Sequence, residues 1–595
     1  MIPVRPLGRR AVERKRRVAA GVRSQRPRGR GPPRPLSGSR CSKRALAGEP
    51  PGSKVRGSGE RAPADRTRPL NATAATHRNP GNWTPRPLDP ARGPPYPSGV
   101  PPATRCLLVY PKFSDASFWN FADIMPLAGR KYITQPLGLL TVAALLPKSW
   151  ECRLVDLNAR DLSEADLAWA DLVMTGGMIT QQLETLRLIR ELKARGKTVV
   201  VGGPDATSQP ALYEGADFLV LGEAELTVPA FLAAWEHGER TGRFAAGEAK
   251  ADVERSPIPR FDLLRFSDYL YVGVQLSRGC PYNCEFCDII ELYGRVPRLK
   301  TPARMFRELE ALLALGYRGH VDFVDDNFIG DKRAVKAFLR ELVAWSEARG
   351  WPFYFSTEAT VTLAADPELL ELMRRADFRF VFVGIETPDP ELLRQTQKKQ
   401  NTLAPLADAV RKLNEAGMMV YAGFILGFDG EKAGAGEALA ACVEETRVAT
   451  AMTGLLTSLP NTQLDRRLAA EGRLLTRARG TEVRPEEVDQ MTGGLNFLTR
   501  RPRAEVLGEY RAALARLYDP ANYFARVRGF LEWFKPHGRH RPSPLLFPRF
   551  AWTFLRVSAY FLLRPALAGP YLRTLLAAAG RGPKHLSLAV ILAGF

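Results

Sequence analysis

The sequence reads as an α/β chain in which a doubly wound parallel sheet is followed by a partial (β/α)6 barrel and a helical C-terminal region. Three observations predict this. From Arg105 to about Pro460, short β-branched runs alternate with amphipathic segments, the pattern of successive βαβ units. The Pro-rich segment SPIPRFD, inside a stretch from about Gly238 to Tyr269, divides that series in two. Past Pro460 the strand-like runs stop and the sequence turns helical and increasingly basic. With 595 residues, 45% of them hydrophobic, the chain can bury more than one core.

Residues 1–104 precede the first strand run. Residues 1–100 hold 23 Lys and Arg against 5 Asp and Glu, +18 of the formal +22, and 17 of the 47 prolines. With few aromatics and no apolar period, such a tail cannot offset its ordering entropy and is expected to be disordered. It lacks the basic and aromatic interleaving of a nucleic-acid platform, so no nucleic-acid partner is expected. It also lacks the apolar stretch of a secretory signal.

The first α/β series has strand runs at Cys106 to Tyr110, Cys152 to Leu157, Leu172 to Thr175, Thr198 to Val201 and Phe218 to Leu221. At that spacing they predict a doubly wound domain over residues 105–240, with a linker at 241–270. The second series runs Val272 to Ser277, Val321 to Val324, Phe353 to Ser356, Phe380 to Ile385, Val420 to Leu426 and Gly454 to Thr457. Polar residues at these strand ends place a site on the C-terminal rim of a partial barrel, residues 271–460. Residues 461–595 form the helical region.

Of seven cysteines, Cys41, Cys106, Cys152 and Cys442 stand alone, while Cys280, Cys284 and Cys287 are grouped. Isolated thiols make no disulfide framework, which points to a reducing cytoplasm. No run reaches the roughly 18 apolar residues of a membrane span, so the expected location is cytoplasmic, with a peripheral position at the inner membrane surface allowed.

The group lies in Leu276-Ser-Arg-Gly-Cys280-Pro-Tyr-Asn-Cys284-Glu-Phe-Cys287-Asp, directly after a strand. Thiolates are the ligands of iron–sulfur clusters, and a cubane with protein ligands at every iron takes four. Three leave one iron open, free to chelate the amine and carboxylate of S-adenosylmethionine (SAM). The alternative is a structural zinc site, which wants a fourth ligand such as His320 or Cys442.

On these residues the stretch 271–460 resembles the radical SAM superfamily, with Phe286 as the aromatic of its CxxxCxΦC signature. The resemblance implies a 4Fe-4S cluster on Cys280, Cys284 and Cys287, SAM as cofactor, and Phe286 near the adenine. Where the family carries an acidic or Gly-Gly-Glu element, this chain has Val324-Asp325-Asp326-Asn327, which makes Asp325 and Asp326 candidates for the SAM ammonium. Glu358 and Glu386 end the third and fourth strands and can accept ribose hydroxyls or the ammonium. Gly423 and Ile425 match the family's G-x-I-x-G element beside the adenine. Singly, each of these is equally an ordinary solvated carboxylate or turn glycine.

The segment from Arg105 to His237 resembles the cobalamin-binding domains that precede many such enzymes. Gly176, Gly202, Gly203, Gly222 and Glu223 follow its third, fourth and fifth strands, where glycines let backbone approach a large flat ligand. Ordinary turn chemistry is the alternative. The DxHxxG motif is absent and no histidine lies between His77 and His237, so neither a protein imidazole nor the corrinoid's own base is expected on the lower face of cobalt. The runs CDIIELYGRVPRLKTP and GYRGHVDFVDDNFIG are similar to a subgroup that includes the hopanoid C-2 methylases. The fold implied is thus an N-terminal doubly wound cobalamin-binding-like domain, a partial (β/α)6 radical SAM barrel and a helical C-terminal region.

In that last region Phe524, Phe530, Trp533 and Phe534, then Phe547, Phe550, Trp552, Phe554 and Phe561, are interleaved with Arg539, Arg541, Arg549, Arg556 and Arg564. They suit either a helical cap packed on the barrel or a basic amphipathic surface on an anionic membrane. The function expected is cobalamin-dependent methylation of an unactivated carbon, on a lipid or other secondary metabolite, with an external flavodoxin or ferredoxin as electron donor. A cobalamin-associated rearrangement, cyclisation or oxidation is the second reading, and a non-enzymatic cobalamin or cluster sensor the third.

Overall fold

β1 (Arg105–Tyr110), β2 (Glu151–Asp156), β3 (Leu172–Gly176), β4 (Thr198–Gly202), β5 (Phe218–Leu221) and β6 (Gly242–Ala245) form one parallel sheet in the order β2-β1-β3-β4-β5-β6. The computed structural model describes residues 104–114, 117, 125–475 and 494–594. All of these belong to one compact unit. Apart from Thr104, the basic tail and Cys41 lie outside the described residues.

Along β1, Leu107 and Val109 join one apolar core while Cys106 and Leu108 join another. A strand buried on both faces reads as a continuous apolar run, the mark of a parallel sheet covered by helices on each side. The order of the first five strands has its switch point between β1 and β3, and ligands of such sheets sit beyond the strands' carboxyl ends there. β6 corrects the expected linker at 241–270, because the sheet continues into it. Its pattern alternates between half-buried and exposed residues, as befits a short edge strand, and such a brief run carries no clear sequence signal.

The second series opens with β7 (Val272–Val274), β8 (Ser277–Arg278) and β9 (Arg298–Leu299), then β10 (Gly319–Phe323), β11 (Phe353–Glu358), β12 (Phe378–Glu386), β13 (Met419–Leu426) and β14 (Thr450–Leu455). Six of these pair in parallel in the order β14-β13-β12-β11-β10-β7, and β8 with β9 makes a separate antiparallel ribbon. The strand expected over Val272–Ser277 therefore breaks after Val274, where the chain leaves the sheet for the cysteine loop.

The barrel is open between β7 and β14, and both edges are closed by side chains. At β7, the Gln135 amide donates to the Gly273 carbonyl at 2.8 Å and accepts from the Gly273 N–H at 2.9 Å. At β14, the Tyr510 hydroxyl donates to the Thr453 carbonyl at 3.1 Å and Tyr518 donates to that of Ala451.

Alternation along the strands separates two faces. Val321, Phe323, Phe353, Phe355, Val381 and Val383 join the core under the surrounding helices. Their neighbours face the barrel interior, where the His320 ring contacts Tyr271, Tyr354 and Phe380, and Phe380 contacts Tyr421.

The C-terminal helices Pro520–Trp533, Phe547–Leu562, Pro565–Ala579 and Pro583–Ala593 share a further core with Met419 and Ala449 of the barrel. Phe524, Phe530, Phe534 and Phe561 are buried in it, as the cap reading expects, whereas Phe547, Phe550, Trp552 and Phe554 are exposed. Among the described residues no helix is long and apolar enough to cross a membrane.

Candidate active site

The cysteine loop leaves β8 through Gly279, whose φ of +94° and whose position, with an added Cβ falling 2.9 Å from the Gly294 carbonyl oxygen, exclude any side chain. Asp325, at the end of β10, accepts from the Leu276 N–H at 3.0 Å and from both the N–H and the hydroxyl of Ser277. Asp326 accepts from the Gly279 N–H at 3.1 Å. This corrects the expectation for Asp325: it is buried with both oxygens engaged, so it positions the loop rather than offering a free carboxylate. Asp326 holds the loop through one oxygen.

Two amides that the sequence reading did not single out approach the sulfurs. Asn327 Nδ2 lies 3.9 Å from Cys280 Sγ, and Gln400 Nε2 lies 3.6 Å from Cys284 Sγ. Asn327 stood within a quoted motif. Gln400 lies in the polar run KKQN, and nothing in its spacing marks it. Desolvation raises the Cys280 and Cys287 thiols, the charge of Cys284 raises both further, and Lys398 opposes the rise at Cys287. The three thiols therefore share one electrostatic neighbourhood.

These residues fit an iron–sulfur cluster: three thiols in a desolvated loop, with amide donors beside two of the sulfurs, are features that hold such clusters and tune them. The zinc alternative is not supported. His320 Nε2 is bonded to Ser356 Oγ at 2.6 Å inside the barrel, and Cys442 is buried within the helix Ala435–Glu445.

The other rim residues gather around the loop. Glu358 ends β11 half-buried, and burial together with Asp322, Asp326 and Asp325 raises it to about 8. Glu386, at φ +66°, pairs with Lys398, and Lys398 also lies 5.8 Å from the Phe286 ring centroid. Asn401 donates to the carbonyls of Gly384 and Ile385 at 2.8 and 3.0 Å, fixing the end of β12. Phe286 meets Phe428 edge-on at 5.8 Å. A Cβ on Gly423 would fall 3.0 Å from the Phe382 ring, and Ile425 is half-buried two residues along β13.

The doubly wound sheet presents its strand tips to this loop. A Cβ on Gly176 would lie 2.5 Å from the Gly202 carbonyl oxygen, one on Gly202 would lie 2.7 Å from that of Val220, and Gly203 has φ +89°. The tips of β3, β4 and β5 therefore form a bare backbone shelf, with Gly222 (φ +94°) just past β5. Just past β3, Thr180 Oγ1 and Gln182 Oε1 are buried with no hydrogen-bond partner among the described residues. A shelf free of side chains beside unsatisfied polar atoms fits a large planar ligand with amide substituents. His237 is exposed at the end of the helix Ala224–Glu236, bonded to the Ala233 carbonyl.

Glu223 is corrected. It accepts from Arg278 at 2.7 Å, from Arg298 and from the Ala251 N–H at 3.1 Å, while Glu225 accepts from Arg278 at 2.8 Å. The two carboxylates are almost fully buried, and Arg278 and Arg298 keep only 12% and 19% of their side chains exposed. Arg278 precedes Gly279 and Cys280 directly, so Glu223 joins the sheet to the cysteine loop and does not line the shelf. Asn461 adds a bond from beyond the barrel to the Ser208 carbonyl at 2.9 Å.

Residues 274–441 match the radical SAM superfamily, 126–232 the B12 binding domain, and 462–595 a domain of unknown function, DUF4070. An uncharacterised methyltransferase of Synechocystis sp. is 49% identical over 431 residues, 72% of this chain and 79% of that protein. The hopanoid C-2 methylase of Rhodopseudomonas palustris is 38% identical over 421 residues, 70% of this chain and 77% of that one. The chain belongs to the cobalamin-binding radical SAM family. It is thus an enzyme of the cobalamin radical SAM methyltransferase type, and the two domains of this family imply a 4Fe-4S cluster, SAM and cobalamin. The family's architecture recurs in the solved cobalamin-dependent SAM radical enzyme OxsB, with a TM-score of 0.53 and 14% identity over 82% of this chain and 74% of that one.

Proposed function

We propose that this enzyme methylates an unactivated carbon of a large apolar metabolite, a polycyclic lipid being the class that fits best. The observation that carries the reading is the buried joint of Arg278 with Glu223 and Glu225, which ties the three-thiol loop to the tips of the glycine shelf. When bound, the cluster and SAM supply a 5'-deoxyadenosyl radical and the corrinoid supplies a methyl group. Cys280, Cys284 and Cys287 hold the cluster, with Asp325 and Asp326 fixing their loop. Phe286 and Phe428 wall the adenine beside Gly423 and Ile425. Asp326 and Glu358 take the SAM ammonium or ribose, and Glu386 orders Lys398 next to the thiolates. The shelf at Gly176, Gly202, Gly203 and Gly222 receives the corrinoid.

Tyr271, Tyr354, Phe380, Phe382 and Tyr421 line the barrel, and an aromatic wall of this kind suits a bulky hydrocarbon and excludes water from a radical. The 38% identical hopanoid C-2 methylase supports the same substrate class. An external flavodoxin or ferredoxin supplies the electron.

Product stoichiometry tests the reaction. A methylation consumes about two SAM per product, giving deoxyadenosine from one and S-adenosylhomocysteine from the other. Deoxyadenosine without S-adenosylhomocysteine or methylated product would instead support radical cyclisation, a reading favoured by a 27% identical relative, the anaerobic magnesium-protoporphyrin IX monomethyl ester cyclase of Cereibacter sphaeroides, aligned over 42% of this chain and 44% of that protein.

A further inference from the structure

The helix Phe547–Leu562 buries Val557, Ser558 and Phe561 against the C-terminal core. It turns most of its other large apolar side chains to solvent: Phe547 is 72% exposed, Phe550 52%, Trp552 62% and Leu555 58%. Leu545 before it and Leu563 after it are 88% and 79% exposed, and on the adjoining helix Leu572 and Leu576 are 46% and 64% exposed. Large apolar side chains exposed together in this way mark an interaction site.

Charge identifies the occupant. Residues 533–595 contain no Asp or Glu and nine Lys or Arg. Among the described residues, none of the nine forms an ion pair. Arg549 donates to the carbonyls of Ala128 and Gly129 at 2.9 and 2.8 Å, and Arg556 to that of Pro126. These bonds fix the helix to the loop before Arg130 and leave its positive charge uncompensated. A second copy of the same face would bring like charge against like charge. Residues 1–100, at +18, would do the same.

We infer that the C-terminal helices form a docking surface for an anionic lipid bilayer. Exposed aromatic and leucine side chains enter the headgroup and acyl boundary, and the arginines and lysines around them meet the lipid phosphates. The surface adjoins the base of the barrel, because the loop that Arg549 and Arg556 hold runs on to Lys131 and Tyr132, whose N–H groups donate to the Asp268 carbonyl at 2.8 and 3.0 Å just ahead of β7. An apolar substrate dissolved in the bilayer would thus lie at the end of the barrel opposite the cysteine loop. The inference rests on the surface and not on the reaction, so vesicle binding is measured without turnover.

The test is sedimentation of the anaerobically prepared full chain with phosphatidylcholine vesicles and with vesicles containing about 30% phosphatidylglycerol. The parent should bind the anionic vesicles at least tenfold more tightly, with the preference falling as salt rises. Phe550→Glu with Trp552→Glu should lose tenfold or more while keeping the parent's circular dichroism and iron content, and Leu555→Glu with Leu576→Glu provides an independent pair. No preference for anionic vesicles, or binding unchanged in both pairs, overturns the inference. So does a parent dimer that either pair converts to monomer without any vesicle binding, which would make the face a contact between copies.

Discussion

At the scale of single residues, Cys284 is the hinge of the site, since its charge acts on both neighbouring thiols and its sulfur faces Gln400. Replacing any one of Cys280, Cys284 or Cys287 by Ala should reduce iron and sulfide per chain to background after anaerobic reconstitution while circular dichroism stays that of the parent. Asp322, inside the barrel, gives a prediction about pH. Burial raises it to about 6, against an ordinary value of 3.8, and the Ser356 hydroxyl only partly offsets this. Between these values the folded chain keeps a proton that the unfolded chain has released, so stability falls as pH rises through that window and levels off above it. Asp322→Asn lacks this slope. Between about pH 4 and pH 7 the variant should gain on the parent by on the order of 3 kcal/mol, read from paired denaturation curves. The thiol spacing was plain in the sequence because it is local. The partners of those thiols, Asn327, Gln400 and Lys398, come from distant strand ends that meet only in the folded barrel. Glu223 shows the converse: its place after β5 suggested a ligand contact, and its burial against two arginines makes it structural.

At the scale of elements, the joint between β5 and β8 is the place to cut. Arg278→Met leaves Glu225 without its cation and Glu223 with Arg298 alone, and removing one partner of a buried pair costs about 3–5 kcal/mol. Chemical denaturation should show that loss, with part recovered in the Arg278→Met, Glu225→Gln double variant. Gly203→Ala should also destabilise, because the residue sits at φ +89° with an added Cβ 3.2 Å from the Gly177 N. That variant should lower the corrinoid retained per chain more than it lowers iron. The long runs that became β1 to β5 were legible because two-sided burial demands unbroken apolar sequence. β6 was not, being four residues at an edge, and the first barrel strand was over-extended because Leu276 and Ser277 look apolar or neutral yet lie outside the barrel sheet, in the segment that Asp325 holds.

At the scale of the whole molecule, one anaerobic preparation analysed for iron, sulfide and corrinoid should give about four irons and one corrinoid per chain. The electron paramagnetic resonance spectrum of the cob(II)alamin form should show no histidine nitrogen on cobalt, since His237 is exposed at a helix end and bonded to the Ala233 carbonyl. The division into two α/β series and a helical end followed from periodicity, but composition could not say which C-terminal aromatics are covered, because burial depends on neighbours far along the chain. The amide of Gln135 on β7 has a practical consequence for anyone dividing the protein. A fragment begun at residue 241 would keep all six barrel strands yet strip Gly273 of its hydrogen-bonding partner, leaving a raw strand margin that recruits other chains. Such a fragment should precipitate or self-associate on light scattering where the full chain does not, so the catalytic barrel and the sheet before it are best handled as one inseparable body.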